Sequence, residues 1–214
     1  MTQPHLLYIA DPMCSWCWGF APVIEVITAE FGDDLPLHVV MGGLRPGTTE
    51  PMTDKARAEI GTHWTHVREA TGQPIDFSLL DRTDFVYDTE PAARAVVVMR
   101  SAGAALTALQ RIQRAFYAEG RDVTRAEELA DLAAEIGADR DAFLTAFHSP
   151  AAHAETMNDF ALSREAGVTG FPTLLVGTED PDDYRLVANG YRPAERVIPA
   201  LRGWLDEIRA RKTA

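Results

Sequence analysis

The chain's only two cysteines, Cys14 and Cys17, stand two residues apart within DPMCSWCWGF (residues 11–20). That spacing serves three chemistries. A structural zinc site needs four nitrogen or sulfur ligands. The pair would have to borrow His63 and His66, which share a helix face but lack finger-like spacing. A structural disulfide across two intervening residues closes so small a ring that it removes little entropy from the unfolded chain. A reactive dithiol needs one sulfur placed where it ionises and a second within bonding reach. A CxxC at a helix start supplies both.

Composition favours the reactive pair. With 214 residues, 46% of them hydrophobic, the chain builds a full core without a crosslink. The stretch MTQPHLLYIADP has neither a basic segment nor an apolar run long enough for a secretory leader, and no stretch approaches the ~18 apolar residues of a membrane span. If Met1 is the native start, the expected location is the cytoplasm, where thiols stay reduced and a CxxC serves catalysis or metal binding rather than structure. The net charge of −12 repels phosphate backbones and anionic lipids, so neither nucleic acid nor membrane is expected as a partner. The same field opposes thiolate formation, so local dipoles must supply it.

The elements that would position the pair are legible on either side of it. HLLYIADP (5–12) reads as a buried strand ended by Asp11-Pro12. Phe20, Val23, Ile24, Ile27 and Phe31 recur at helical spacing from Trp18 onward, which puts Cys14 near a helix N-terminus. There, unpaired N–H groups and the helix dipole favour a Cys14 thiolate, while Cys17, one turn in, is expected to be buried and protonated. A second strand, LPLHVVM (35–41), ends at Gly42-Gly43. From about 52 to 166 the pattern is helical: Ile60, Trp64 and Val67 on one face, Thr89 as an N-cap before Pro91, and a stripe of Leu106, Leu109, Ile112 and Phe116. TRAE (124–127) reads as a capping box, and shorter helices follow around 143–147 and 154–165. Strands return at 171–177 and 184–188, joined by TEDPDD as a hairpin, before a last helix with Val197, Ile198, Leu201, Leu205 and Ile208 on one face. The order is β-α-β, a helical block, then β-β-α: an α/β chain.

The sequence resembles the thioredoxin superfamily, specifically the DsbA-like disulfide oxidoreductases, and within them a cytoplasmic protein-disulfide isomerase branch related to FrnE-like proteins. DPMCSWCWGF, MGGLRPG (41–47), YDTEPAARAV (87–96) and GVTGFPTLLV (167–176), in that order, carry the resemblance. It implies a discontinuous thioredoxin-like domain, residues 1–48 and 167–214, around an all-helical insertion at 49–166. It also implies Pro172 as a cis-proline facing the cysteines, and a Phe171 backbone that pairs with an extended substrate. Many thioredoxin-like proteins carry a buried carboxylate six residues before the first cysteine. Here that residue is Tyr8, which leaves Asp11 as the candidate proton relay, against a plain turn role before Pro12. No histidine lies between the cysteines to support the thiolate, so weaker oxidising power is expected than in strongly oxidising periplasmic relatives.

The expected activity is thiol–disulfide exchange on protein or small-molecule disulfides, with Cys14 attacking, Cys17 resolving and Pro172 shaping the groove. Ser15, Trp16 and Phe171 are expected to line it, with Trp16 at the surface and Trp18 in the core. Gly43 would let a substrate approach the backbone and Arg45 would contact an anion. No metal or organic cofactor is needed, and glutathione is a candidate co-substrate. Two other classes stand beside this reading: a glutathione-dependent transferase or isomerase resembling kappa-class transferases and hydroxychromene carboxylate isomerases, and a non-catalytic chaperone or adaptor that grips unfolded chains.

Overall fold

A computed structural model describes residues 3–178, 180 and 183–213. The first apolar run forms strand β1 (His5–Ala10), and helix α1 (Ser15–Phe31) follows. The helix begins a turn earlier than the apolar spacing predicts, because Cys14 takes the N-cap in extended conformation. Strand β2 (Leu37–Met41) then lies parallel to β1, with Tyr8 opposite Val39. Among the described residues six helices come next: α2 (Asp54–Thr71), α3 (Glu90–Arg100), α4 (Ala105–Glu119), α5 (Ala126–Glu135), α6 (Arg140–Phe147) and α7 (Pro150–Glu165). Strands β3 (Thr173–Gly177) and β4 (Arg185–Asn189) and helix α8 (Ala194–Thr213) close the chain. The sheet order is β2-β1-β3-β4, with β3 antiparallel to both of its neighbours.

One continuous cluster of buried side chains runs from Leu6 and Tyr8 of the sheet through Phe20 and Ile24 of α1 to Trp64, Leu109 and Phe116 of the helical block. The block is also tied to the sheet by polar groups. Strand β2 is an edge, and its outer backbone groups would otherwise seek another strand. Asp159 of α7 accepts from the Met41 N–H at 2.8 Å, and Arg100 of α3, paired with Asp159, donates to the Val39 carbonyl at 3.1 Å.

Three local expectations are corrected. Thr89 sits at the N-cap position of α3, but its hydroxyl accepts from the Arg45 N–H at 3.0 Å instead of capping the helix. The capping box at 124–127 does not form: Asp122 captures both the N–H and the hydroxyl of Thr124, and Arg125 becomes the N-cap. Strand β3 starts at Thr173 rather than 171, since Pro172 has no N–H to pair, while its carbonyl accepts from Gly190 at 2.7 Å. β3 and β4 pair as the expected hairpin, but Glu179, Pro181 and Asp182 of the turn between them lie outside the described residues.

Helix α1 contains Pro22, which cannot donate to the carbonyl four residues back. That carbonyl belongs to Trp18, and the Gln73 side-chain amide, from the segment after α2, donates to it at 3.0 Å. The Trp18 indole N–H in turn donates to the Pro74 carbonyl at 3.0 Å. The missing helix bond thus becomes a two-way link between α1 and the helical block. Replacing Gln73 with Ala should cost about 1 kcal/mol in urea unfolding, a typical value for one hydrogen bond. In a Pro22→Ala background, where an N–H again reaches Trp18, the same change should cost clearly less.

Candidate active site

The cysteines are held through the residue before them. The turn after β1 brings the Asp11 carboxylate under its own chain, where one oxygen accepts from the Met13 N–H at 2.9 Å and the other from the Leu44 N–H at 2.8 Å. The Met13 carbonyl accepts two tyrosine hydroxyls, Tyr87 at 2.7 Å and Tyr117 of α4 at 2.6 Å. With the peptide groups on both sides of Met13 fixed, Cys14 follows in a set direction and its carbonyl accepts the first helical N–H, from Trp18, at 3.1 Å.

Cys14 and Cys17 are free thiols in different surroundings. Cys14 opens onto a cleft of about 410 Å³ and donates from Sγ to the Phe171 carbonyl at 3.6 Å. Cys17 has no exposed surface, and its thiol pKa stands well above the ordinary cysteine value. Burial is the main cause, the contact with Cys14 adds to it, and the backbone of Asp11 opposes it. The Phe171–Pro172 peptide is cis. One sulfur can therefore meet a substrate while the other waits behind it as a thiol.

The cleft gathers most of the residues singled out in the sequence. Ser15, Trp16 and Phe171 line it, and Trp16, expected at the surface, is half-buried against Tyr191, with ring centroids 5.9 Å apart. Trp18 is buried, its ring stacked on Tyr117. Arg45 lies exposed at the rim with its guanidinium 5.3 Å from the Tyr87 ring centre. Gly43 also lines the cleft, yet the expectation of open backbone at the glycine pair is corrected. A Cβ on Gly42 would lie 2.1 Å from the Phe171 ring, and one on Gly43 2.8 Å from the Phe160 ring. The absent side chains make room for the chain's own aromatics, and Gly43 also needs its φ of +73°.

Residues not singled out for the site complete it. Tyr87, Tyr117 and Thr89 fix the cysteine turn and the 42–45 loop, and Arg164 joins Arg45 and His63 at the cleft. Gln113 of α4 is 1% exposed. Its signal was present: it interrupts the Leu109–Phe116 stripe with an amide. His63 and His66 share α2, but among the described residues no three His, Cys, Asp or Glu side chains converge as a metal site.

Asp11 is fully buried, and burial pushes its carboxyl up to about 6, against the pull of the Leu44 and Met13 N–H groups and the Thr89 hydroxyl. The native state therefore keeps this proton in a pH range where the unfolded chain has lost it. Asp11 supports the fold most below the unfolded value, near 4, and loses that advantage as pH rises through 6. The stability difference between wild type and Asp11→Asn should shift against the wild type by on the order of 2 kcal/mol from pH 4 to pH 7. Chemical denaturation of both proteins across that range checks it, since the other titrating groups cancel in the difference.

Residues 7–196 match the DSBA-like thioredoxin domain. Among solved structures, a Nitrosomonas europaea protein provisionally described as a protein disulfide isomerase is 40% identical, with a TM-score of 0.87 over 96% of this chain and 98% of that one. The cytosolic disulfide reductase DsbM of Pseudomonas aeruginosa is 27% identical, with a TM-score of 0.74 over 98% of both chains, and it has also been solved with glutathione. The ClpXP adapter protein SpxH of Shouchella clausii is 20% identical over 95% of this chain and 67% of its own length. The chain spans about two thirds of the curated relatives it matches. The architecture is the thioredoxin fold, with a block of helices between its β-α-β and β-β-α halves. The chain belongs to the family of DSBA-like thioredoxin domains.

Proposed function

We propose that the protein is a thiol–disulfide oxidoreductase that works through a Cys14–Cys17 pair and exchanges with glutathione. The observation that carries this reading is the placement of the two thiols, one at a helix N-cap on an open cleft and one sealed behind it. Cys14 attacks one sulfur of a substrate disulfide, and the other sulfur leaves with the electron pair. Cys17 then displaces the bound sulfur from Cys14, which leaves a Cys14–Cys17 disulfide and a free substrate thiol. In the reverse direction the same steps oxidise a dithiol. The Phe171 carbonyl, which accepts from Cys14 at rest, is the backbone group beside which an extended substrate would lie, with Pro172 holding it at the cleft. Asp11 has its oxygens committed to two peptide N–H groups, which supports a role in fixing the turn rather than in relaying a proton.

Glutathione carries two carboxylates, and Arg45 and Arg164 present cationic groups on the cleft that holds Cys14. The structure of DsbM with glutathione supports the same co-substrate here, and the cytosolic setting of that relative supports a cytoplasmic one. The helical block from 49 to 166 acts in this reading as an inserted subdomain that roofs the thioredoxin-like part. An adaptor role, which the likeness to SpxH brings to mind, is the second reading. Such a role would survive replacement of both cysteines by serine.

Equilibration in glutathione buffers, followed by tryptophan fluorescence and intact mass, should show a reversible Cys14–Cys17 disulfide. Cys17→Ser should instead trap a mixed disulfide on Cys14, and Cys14→Ser should abolish exchange. A wild-type protein that forms no intramolecular disulfide would end this reading. In the same assay, replacing Arg45 and Arg164 together by Ala should raise the KM for glutathione about fivefold more than that for an uncharged thiol, as expected for losing exposed charge pairs.

A further inference from the structure

Three buried tyrosines face the thiols, and only two of them are spent. Tyr87 and Tyr117 donate to the Met13 carbonyl. Tyr8 of β1 is 1% exposed, and its hydroxyl completes no hydrogen bond, nor does the side-chain N–H₂ of Gln113 beside it. Both are polar groups removed from water with nothing gained in return, which native cores seldom tolerate without a reason. Their arrangement supplies one. The Tyr8 ring packs against Phe20 of α1 with centroids 6.0 Å apart, and Cys17 lies one turn before Phe20 on the same buried face. Burial pushes the phenol's pKa well up; of the polar groups near its hydroxyl, Cys17 pushes it further up and Gln113 draws it down. In a series of this kind each donor strengthens the next.

We propose that Tyr8, backed by Gln113, is the donor that stabilises Cys17 as a thiolate while it resolves the mixed disulfide. This rests on the exchange reading above. At rest Cys17 is a thiol, a weak acceptor, and the Tyr8 hydroxyl is left short of a partner. During resolution Cys17 gives up its proton to solvent base admitted from the cleft, and its sulfur becomes a strong acceptor. Cys17 Sγ then forms a bond to Cys14 Sγ, and the bond from Cys14 to the substrate sulfur breaks. That sulfur leaves with the electron pair and takes up a proton from solvent at the cleft, which balances the one Cys17 released. A hydrogen bond made only in the reacting state lowers the barrier without strengthening the ground state. A neutral phenol thereby serves at the position, six residues before Cys14, that carries a carboxylate in many thioredoxin-like proteins. In this assignment Tyr8 bonds the reacting sulfur as it ionises, while Gln113 acts through Tyr8 as a positioning residue.

An aromatic disulfide such as 5,5′-dithiobis(2-nitrobenzoate) separates the two steps in the reduced protein. The first thionitrobenzoate is released when Cys14 attacks and the second when Cys17 resolves. Tyr8→Phe, which keeps the ring, should slow the second release about tenfold and leave the first within twofold. Gln113→Leu should slow the second release about threefold, and the double variant should be no slower than Tyr8→Phe alone. Equal slowing of both steps, or an unchanged second step in both single variants, would overturn the assignment. If Tyr8→Phe does not fold, Gln113→Leu with the same two-step readout decides. A wild-type protein that releases no second equivalent brings down the exchange reading itself, a result distinct from normal two-step release that ignores Tyr8.

Discussion

The site depends on one residue, Met13, through the two peptide groups that flank it. Its N–H is held by a carboxylate and its carbonyl by two phenols, all buried. The three holding groups come from the turn itself, from the segment before α3, and from α4. A dithiol needs this kind of fixing, because a sulfur displaced by an ångström loses in-line approach to the other. Helix α1 contributes the N–H groups at its start, and the grip on Met13 aims that start at the cleft.

The same grip explains why the helical block is more than a lid. Among the described residues, Tyr117 and Gln113 of α4 and Trp64 of α2 reach the cysteine layer, and the Trp64 and Tyr117 ring centres lie 5.1 Å apart. Gln73 completes the α1 ladder at Pro22, and Asp159 with Arg100 closes the edge of β2. Each link satisfies a backbone group that the β-α-β and β-β-α halves leave open. Leaving any of these buried groups unpaired costs more than making the bond gains, so the two parts share one core and hold the cleft between them.

What the sequence revealed and what it hid divide along the range of the interaction. Strands, helices and the Cys14–Cys17 junction follow from periodicity within about ten residues, and most of them lie where the spacing put them. The misreadings involve competition at a distance. Thr89 is a good local cap, but the Arg45 peptide, 44 residues away, takes its hydroxyl. Thr124 is the exception, lost to a local competitor, Asp122, two residues upstream. Gly42 and Gly43 looked like an open backbone because their neighbours in space, Phe171 and Phe160, lie far along the chain. Tyr8 was legible only as an absence, a position without a carboxylate. Its meaning required Gln113, which periodicity alone reads as an interruption of an apolar stripe.

These placements bear on the direction of exchange. A strongly oxidising dithiol owes its potential to a reduced form stabilised as thiolate. Around Cys17 the structure works the other way: the thiol is sealed from water, and its largest electrostatic neighbours are a second thiol and the Asp11 carboxyl rather than a cation. The chain's acidic surface adds nothing to offset this. The resting reduced state therefore gains no thiolate stabilisation at Cys17. Any help for Cys17 has to come from neutral donors that act during the reaction and not before it. A site built this way would exchange without holding a large store of oxidising potential, which is what the proposed exchange with glutathione requires.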